Sequence, residues 1–294
     1  MALPGFGRPP AYYFIWILPR NSFNRLCGLV ADAQLPRFLL TLLIRLFSWK
    51  YGVNLKEASK QVSEYRNFNE FFTRKLLPDA RTLDPDTEAV LSPVDGILGE
   101  SGFINNGVLI QAKGLEYRLA DLLKDPERTK FYDGGVFITI YLAPYNYHRT
   151  SQHGKWRGAG VLLYPGRLVD SQPSWGASCT GLFARNERLI TYFKTEKGEC
   201  ALVKIGATVV GRIRVVYHDI TSNRPGAAFQ KIVLTSPFRV ERGDEVGLFE
   251  LGSTVICLFP PGQIELNELK IEQEILLGQA IGRFSRIHQD EIKT

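Results

Sequence analysis

The chain has 294 residues, 45% apolar and 22% charged, which excludes a disordered chain and allows a sizeable core in one large or two smaller domains. A formal charge of +6 favours anionic partners; no Lys/Arg block with interleaved aromatics stands out, which argues against nucleic acid and leaves an anionic lipid surface. Cys27, Cys179, Cys200 and Cys257 are scattered without CxxC spacing, so neither a structural metal nor a disulfide framework is expected.

Before residue 84 the pattern is helical. Apolar clusters run from Tyr12 to Leu18 and from Leu35 to Trp49. A bilayer span takes about 20 largely uncharged residues, and neither cluster qualifies. Pro19-Arg20 closes the first, and Arg37, Arg45 and Lys50 interrupt the second. Basic residues beside Trp and Phe on an apolar helix suit a segment lying in a membrane interface, and equally a helix packed on the protein's own core. Arg20 and Arg25 also break the apolar run that a cleaved signal peptide needs. Asn54 is positioned to cap a helix carrying Leu55, Ala58 and Val62. Asn67 with Glu70 predicts the start of another, with Phe68, Phe71, Phe72 and Leu76 on one face and Pro78 as its stop.

From Ala89 onward, short β-branched and aromatic runs alternate with turns. Strands are expected at 107–110, 136–142, 189–193, 201–205, 208–216 and 231–234, with hairpin turns at Asn106-Gly107 and Lys197-Gly198. The expected fold is therefore α+β: amphipathic helices in 1–83, then a β-rich barrel or sandwich-like core in 84–294.

Chemistry-bearing residues gather in the β-rich half. Ser92-Pro93-Val94-Asp95-Gly96 presents a carboxylate at a turn, and Tyr147-His148-Arg149 presents an imidazole after a strand. Phe183 to Arg188 (FARNER) precedes another strand. Leu251-Gly252-Ser253-Thr254 places a Gly-Ser bond between apolar runs, where the hydroxyl can add to the preceding carbonyl and glycine does not crowd the approach. Singly, each has an ordinary explanation: an Asp-Gly turn, a structural histidine, a solvated loop, a bulge. Together they supply a carboxylate, a base and a hydroxyl.

With Asn67 to Leu76 (NFNEFFTRKL), Ala80-Arg81 and Ile205 to Gly211 in the same order, these segments resemble the phosphatidylserine decarboxylase family along nearly the whole chain. The resemblance implies self-cleavage between Gly252 and Ser253 into a long and a short chain that stay together as a heterodimer, with further oligomerisation left open. Ser253 would become a pyruvoyl group, the covalent cofactor. Its carbonyl would form a Schiff base with phosphatidylserine, and loss of carbon dioxide would give phosphatidylethanolamine. Asp95 would orient His148, and His148 would take the proton from Ser253 and later protonate the carbanion. One departure concerns the family's H-x-x-H pattern, because Ser151 stands where the second histidine belongs. His153 is then the candidate for a supporting role. Arg185, Arg188 and Lys204 are candidates for the lipid phosphate, or for ordinary surface roles. The expected location is peripheral, at the cytoplasmic face of a bacterial inner membrane. Competing expectations are a pyruvoyl decarboxylase of a soluble amino acid, a β-rich carrier module that keeps Gly252-Ser253 intact, and an unprocessed homologue.

Overall fold

The computed structural model describes residues 20–111, 115–151, 156–165, 181–195, 198–206, 212–224, 228–233, 238–250 and 253–285. It begins with helices α1 (Arg20–Asp32) and α2 (Arg37–Tyr51). Pro36 sits before the first turn of α2, where its missing N–H costs nothing, and Gly52 ends the helix at φ 73° with its N–H on Ser48 O. Leu40, Ile44 and Ser48 recur every four residues and form the buried face of α2. Leu40 and Ile44 pack with Val53, Tyr65 and Phe71. The opposite face leaves Phe38, Leu39, Leu42, Leu43, Leu46 and Trp49 exposed, Phe38 to 76% and Trp49 to 83%.

The next two predicted helices are shorter than expected. Asn54 caps only a single 3-10 turn, Leu55–Glu57, through its side chain on the Lys56 N–H. Helix α3 (Phe68–Phe72) starts at Asn67, whose Oδ1 accepts from Glu70 N, but stops well before Leu76. The cause is backbone pairing: Ser59 N donates to Lys75 O, Leu77 N donates to Glu57 O, and Leu76 bridges Ala58. Those groups cannot also serve a helix ladder.

The rest is organised by one antiparallel nine-stranded sheet. Its main path runs β11 (Gln230–Val233), β7 (Trp156–Tyr164), β8 (Arg188–Thr195), β9 (Gly198–Gly206), β14 (Ser253–Phe259), β5 (Val136–Leu142), β2 (Gly96–Phe103) and β16 (Glu274–Ile275). β12 (Arg239–Val240) adds to β7 off this path. Among the described residues this path has two ends, so the architecture is a sandwich and not a closed barrel. A small sheet of β10 (Arg212–Val215), β13 (Glu245–Glu250) and β6 (Arg149–Ser151) lies over one face, beside β1 (Ala89–Leu91), β17 (Ala280–Phe284) and β15 (Ile264–Leu266). The other face is covered by the hairpin β3 (Val108–Gln111) and β4 (Leu115–Arg118) with helices α4 (Leu119–Leu123), α5 (Pro126–Tyr132) and α6 (Leu182–Arg185).

Strand β14 shows how the layers divide. Val255, Cys257 and Phe259 enter the core under the small sheets, and Ile256 and Leu258 enter the core under the helices. Alternating side chains thus find apolar partners on both faces, which is why the strand reads as an unbroken apolar run. The predicted Asn106-Gly107 turn is formed, both residues having positive φ (53° and 68°). The turn residue Lys197 lies outside the described residues, while Gly198 and Thr195 pair across the β8–β9 hairpin.

Candidate active site

Ser253 opens β14 and is hydrogen-bonded into the sheet between Leu142 of β5 and Gly206 of β9. It is 1% exposed, and its Oγ makes no hydrogen bond. A buried hydroxyl without a partner forfeits its hydration for nothing, so it needs an explanation beyond folding. Leu251 and Gly252 lie outside the described residues.

Gly206, opposite Ser253, is fixed by the FARNER segment. Asn186 Nδ2 donates to Gly206 O at 2.9 Å, and Gly206 N donates to Glu187 O at 2.9 Å. The Glu187 carboxylate accepts the Asn223 N–H. Arg188 donates to the carbonyls of Leu122, Asp121, Ala184 and Asn186, and burial pushes its pKa down to about 10. The segment is a buried brace for the strand beside Ser253, not the solvated loop its polarity suggests. Of the phosphate candidates, Arg188 is thus committed to carbonyls. Arg185 lines a cavity of about 640 Å³ with Glu116, Arg118 and Lys124.

His148 lies just before β6, and its carbonyl accepts the Phe249 N–H. The side chain is fully buried. Nδ1 is 2.9 Å from Asn146 O. A carbonyl oxygen only accepts, so Nδ1 carries the proton and Nε2 holds the lone pair. Nε2 makes no hydrogen bond. Desolvation, followed by the nearby Arg74 charge, pushes the imidazole pKa down to about 3, so the ring is neutral at physiological pH. The Phe72 ring packs on it with centroids 4.1 Å apart.

Asp95 does not orient this imidazole. Its buried carboxylate takes Arg81 Nε at 2.8 and 3.1 Å, Arg81 Nη2 at 2.5 Å and Leu277 N at 2.8 Å. The expected Asp95–His148 pair is replaced because Arg81 satisfies both carboxylate oxygens and the Asn146 carbonyl satisfies Nδ1. The Asp95 turn still adjoins the histidine strand, since Ser151 N donates to Pro93 O at 2.8 Å. His153 lies outside the described residues.

Lys204 is placed differently from a surface phosphate ligand. It is fully buried on β9 opposite Val255, which makes it a diagonal neighbour of Ser253 on the same face of the sheet. Its Nζ donates to Thr191 Oγ1 at 2.8 Å, and that hydroxyl lies 2.6 Å from Tyr217 OH. Burial pushes the ammonium pKa down to about 7. A Cβ on Gly247 would come within 2.5 Å of the Arg214 carbonyl oxygen on β10, so glycine is required by that backbone approach; Lys204 Cε and the unbonded Thr150 Oγ1 lie at 3.4 Å from the same point. His148, Thr150, Lys204 and Ser253 thus carry polar groups that are buried in a sandwich built mainly from apolar side chains.

Sequence reasoning gave no part in the site to Phe72, Arg74, Asn146 or Asn186. All four lie in or beside the family-like segments, where their types suggested helix packing or loops.

The family model for phosphatidylserine decarboxylase matches residues 68–283. Curated proteins named phosphatidylserine decarboxylase proenzyme are similar along most of their length. That of Anaeromyxobacter sp. (strain K) is 39% identical over 270 residues, covering 90% of this chain and 95% of its own. Those of Myxococcus xanthus and Nitrosospira multiformis are 37% and 40% identical, covering 90% and 86% of this chain and 95% and 88% of their own. The match spans the Asp95, His148, FARNER and Ser253 segments alike, and it disfavours a carrier module. The chain belongs to the phosphatidylserine decarboxylase family.

Proposed function

We propose that this chain is a self-cleaving phosphatidylserine decarboxylase whose Ser253 becomes a pyruvoyl group. The observation that carries this is the pair of buried, unbonded atoms, Ser253 Oγ and neutral His148 Nε2, in a family member whose relatives are named proenzymes. His148 Nε2 takes the Ser253 hydroxyl proton as Oγ attacks the Gly252 carbonyl, then returns it to the departing Ser253 nitrogen. Desolvation makes the imidazolium costly, which favours that return over retention of the charge. Removal of the Ser253 α-proton expels the Gly252 carboxylate. Tautomerisation and hydrolysis then leave a ketone and ammonia.

The ketone supplies the electron sink that ordinary side chains lack. Its site fits: Ser253 is enclosed, held on both sides by sheet pairing, and its Oγ has no competing bond. His148 carries the proton to the carbon that loses carbon dioxide. Asp95 contributes through Arg81, anchoring the turn beside β6, and His153 has a supporting place on the same stretch.

Residues 1–83 serve as the membrane-associating region and 84–294 as the catalytic unit, whose long and short chains remain paired through β14 in the sheet. The exposed apolar face of α2, with Arg37, Arg45 and Lys50 beside it, supports peripheral docking on an anionic lipid surface, assigned to the cytoplasmic face of a bacterial inner membrane. No helix among the described residues is long and apolar enough to cross a membrane.

Intact-mass spectrometry of the purified protein tests this reading. The expected result is two fragments split after Gly252, the smaller one blocked by a pyruvoyl group, with carbon dioxide released from phosphatidylserine vesicles. A single full-length mass in fresh wild-type protein would overturn it and favour an unprocessed homologue. Cleavage with turnover of free serine alone would favour a soluble amino acid.

A further inference from the structure

Three consecutive residues, from the last residue of α3 onward, grip the segment that carries His148. The Phe72 ring packs on the imidazole at 4.1 Å between centroids. Thr73 O accepts from Arg149 Nε at 2.8 Å. Arg74 Nη2 donates to Tyr145 O at 2.9 Å and reaches Asn146 O at 3.5 Å. The last carbonyl is the one that receives the His148 Nδ1 proton.

Arg74 is the unusual member. It is only 4% exposed, no carboxylate among the described residues lies within ion-pair distance, and its Nε makes no hydrogen bond. Its guanidinium rests over the Phe71 ring at 5.6 Å. An unpaired buried charge is costly, and an apolar side chain of similar volume would fill this space more cheaply. Stability alone therefore does not account for an arginine here; holding the histidine segment does.

We propose that Arg74 is a positioning residue for His148, with Phe72 as its partner: the guanidinium fixes the Tyr145 and Asn146 carbonyls, the Asn146 carbonyl fixes the Nδ1–H tautomer, and the Phe72 ring fixes the imidazole plane, so that Nε2 keeps a free lone pair. This rests on His148 being the acid–base group of the site. The Arg74 charge also disfavours protonation of the ring. Other charged groups on the surrounding elements are paired: Glu245 with Arg149, Glu250 with Arg212 and Arg214, Asp95 with Arg81, and Glu70 with Lys60 and Arg66. Lys204 on the facing sheet titrates at about 7 and Tyr147 at about 12, both above the acid window in which the imidazole titrates.

Self-cleavage gives a clean test, because it needs no lipid. Full-length precursor is made fresh as wild type, Arg74→Gln, Arg74→Lys, Phe72→Leu and His148→Ala, and conversion to two chains is timed by intact mass at several pH values. Arg74→Gln should cleave at least about tenfold more slowly. The fall in its rate on acidification should begin about one pH unit higher, because the imidazole has lost a neighbouring positive charge. Arg74→Lys should restore most of the pH position but little of the rate, since an ammonium keeps the charge and loses the planar fork. Phe72→Leu keeps an apolar side chain there, carries the test if Arg74→Gln does not fold, and should also slow cleavage.

Wild-type cleavage by folded Arg74→Gln, or by Phe72→Leu where Arg74→Gln does not fold, with His148→Ala uncut, overturns the positioning role alone. Wild-type cleavage by His148→Ala overturns the role of His148 and this inference with it. A normal cleavage rate with only a raised KM for phosphatidylserine makes Arg74 a substrate contact and also overturns it.

Discussion

Arg81 holds Asp95 through both carboxylate oxygens, at 2.8 and 3.1 Å from Nε and 2.5 Å from Nη2, and reaches Glu57 at 3.0 Å with the same nitrogen. The pair joins the segment after α3 to the turn that enters β2, where Leu277 N also bonds Asp95. Asp95 holds the Arg81 guanidinium firmly charged, its pKa raised despite burial. Arg81→Met leaves a buried carboxylate without its counter-charge and should cost about 3 kcal/mol. Urea denaturation of the uncleaved Ser253→Ala background measures it, and adding Asp95→Asn should recover part of the loss.

Ser253→Ala should abolish cleavage without weakening the fold. The Oγ atom makes no hydrogen bond, so its removal deletes an unsatisfied polar atom and only a small volume. The expected result is one full-length mass and a melting temperature equal to or above that of freshly made wild-type precursor.

Lys204 should destabilise the fold in a pH-dependent way. Burial lowers its pKa from 10.5 to about 7, so between those values the unfolded chain binds more protons and stability rises with pH. Below about 7 the full penalty of burying the ammonium applies. Lys204→Met should therefore raise the melting temperature most at neutral and acidic pH, with the gain shrinking as pH approaches 10.5. An equal gain at every pH would contradict a desolvated amine.

The exposed face of α2 should govern lipid binding but not self-cleavage. Phe38, Leu42 and Trp49 are exposed, so replacing them with glutamate leaves the core of the protein intact. Burying each apolar side chain in lipid is worth about 1.5–3 kcal/mol, so each replacement should weaken vesicle binding about tenfold or more. Flotation with vesicles containing anionic lipid reads the first effect, and intact mass confirms normal cleavage. Binding that is unchanged in the triple variant would rule out this face.

The alternation of short apolar runs and turns was enough to anticipate strands at 136–142, 189–193 and 201–205, because side chains on both faces of a two-sided core leave a continuous apolar signature. The Asn106-Gly107 turn was legible for a local reason, the positive φ that this residue pair tolerates. The helix over 67–76 was overestimated, because the bonds that stop it come from residues 57–59, and periodicity does not reveal such partners.

The site divides in the same way. Sequence alone determined which chemical groups the chain carries: a Gly-Ser bond between apolar runs, a histidine after a strand and a carboxylate on a turn, in an order that resembles one family. Only the tertiary structure decided their partners. It gave Asp95 to Arg81, gave the His148 Nδ1 proton to Asn146, placed Arg74 behind that carbonyl, and buried Lys204 diagonally from Ser253. Residue type fixes what a group can donate or accept. Which donor meets which acceptor, and how much water each loses, is set by strand register and by the layers that close over it.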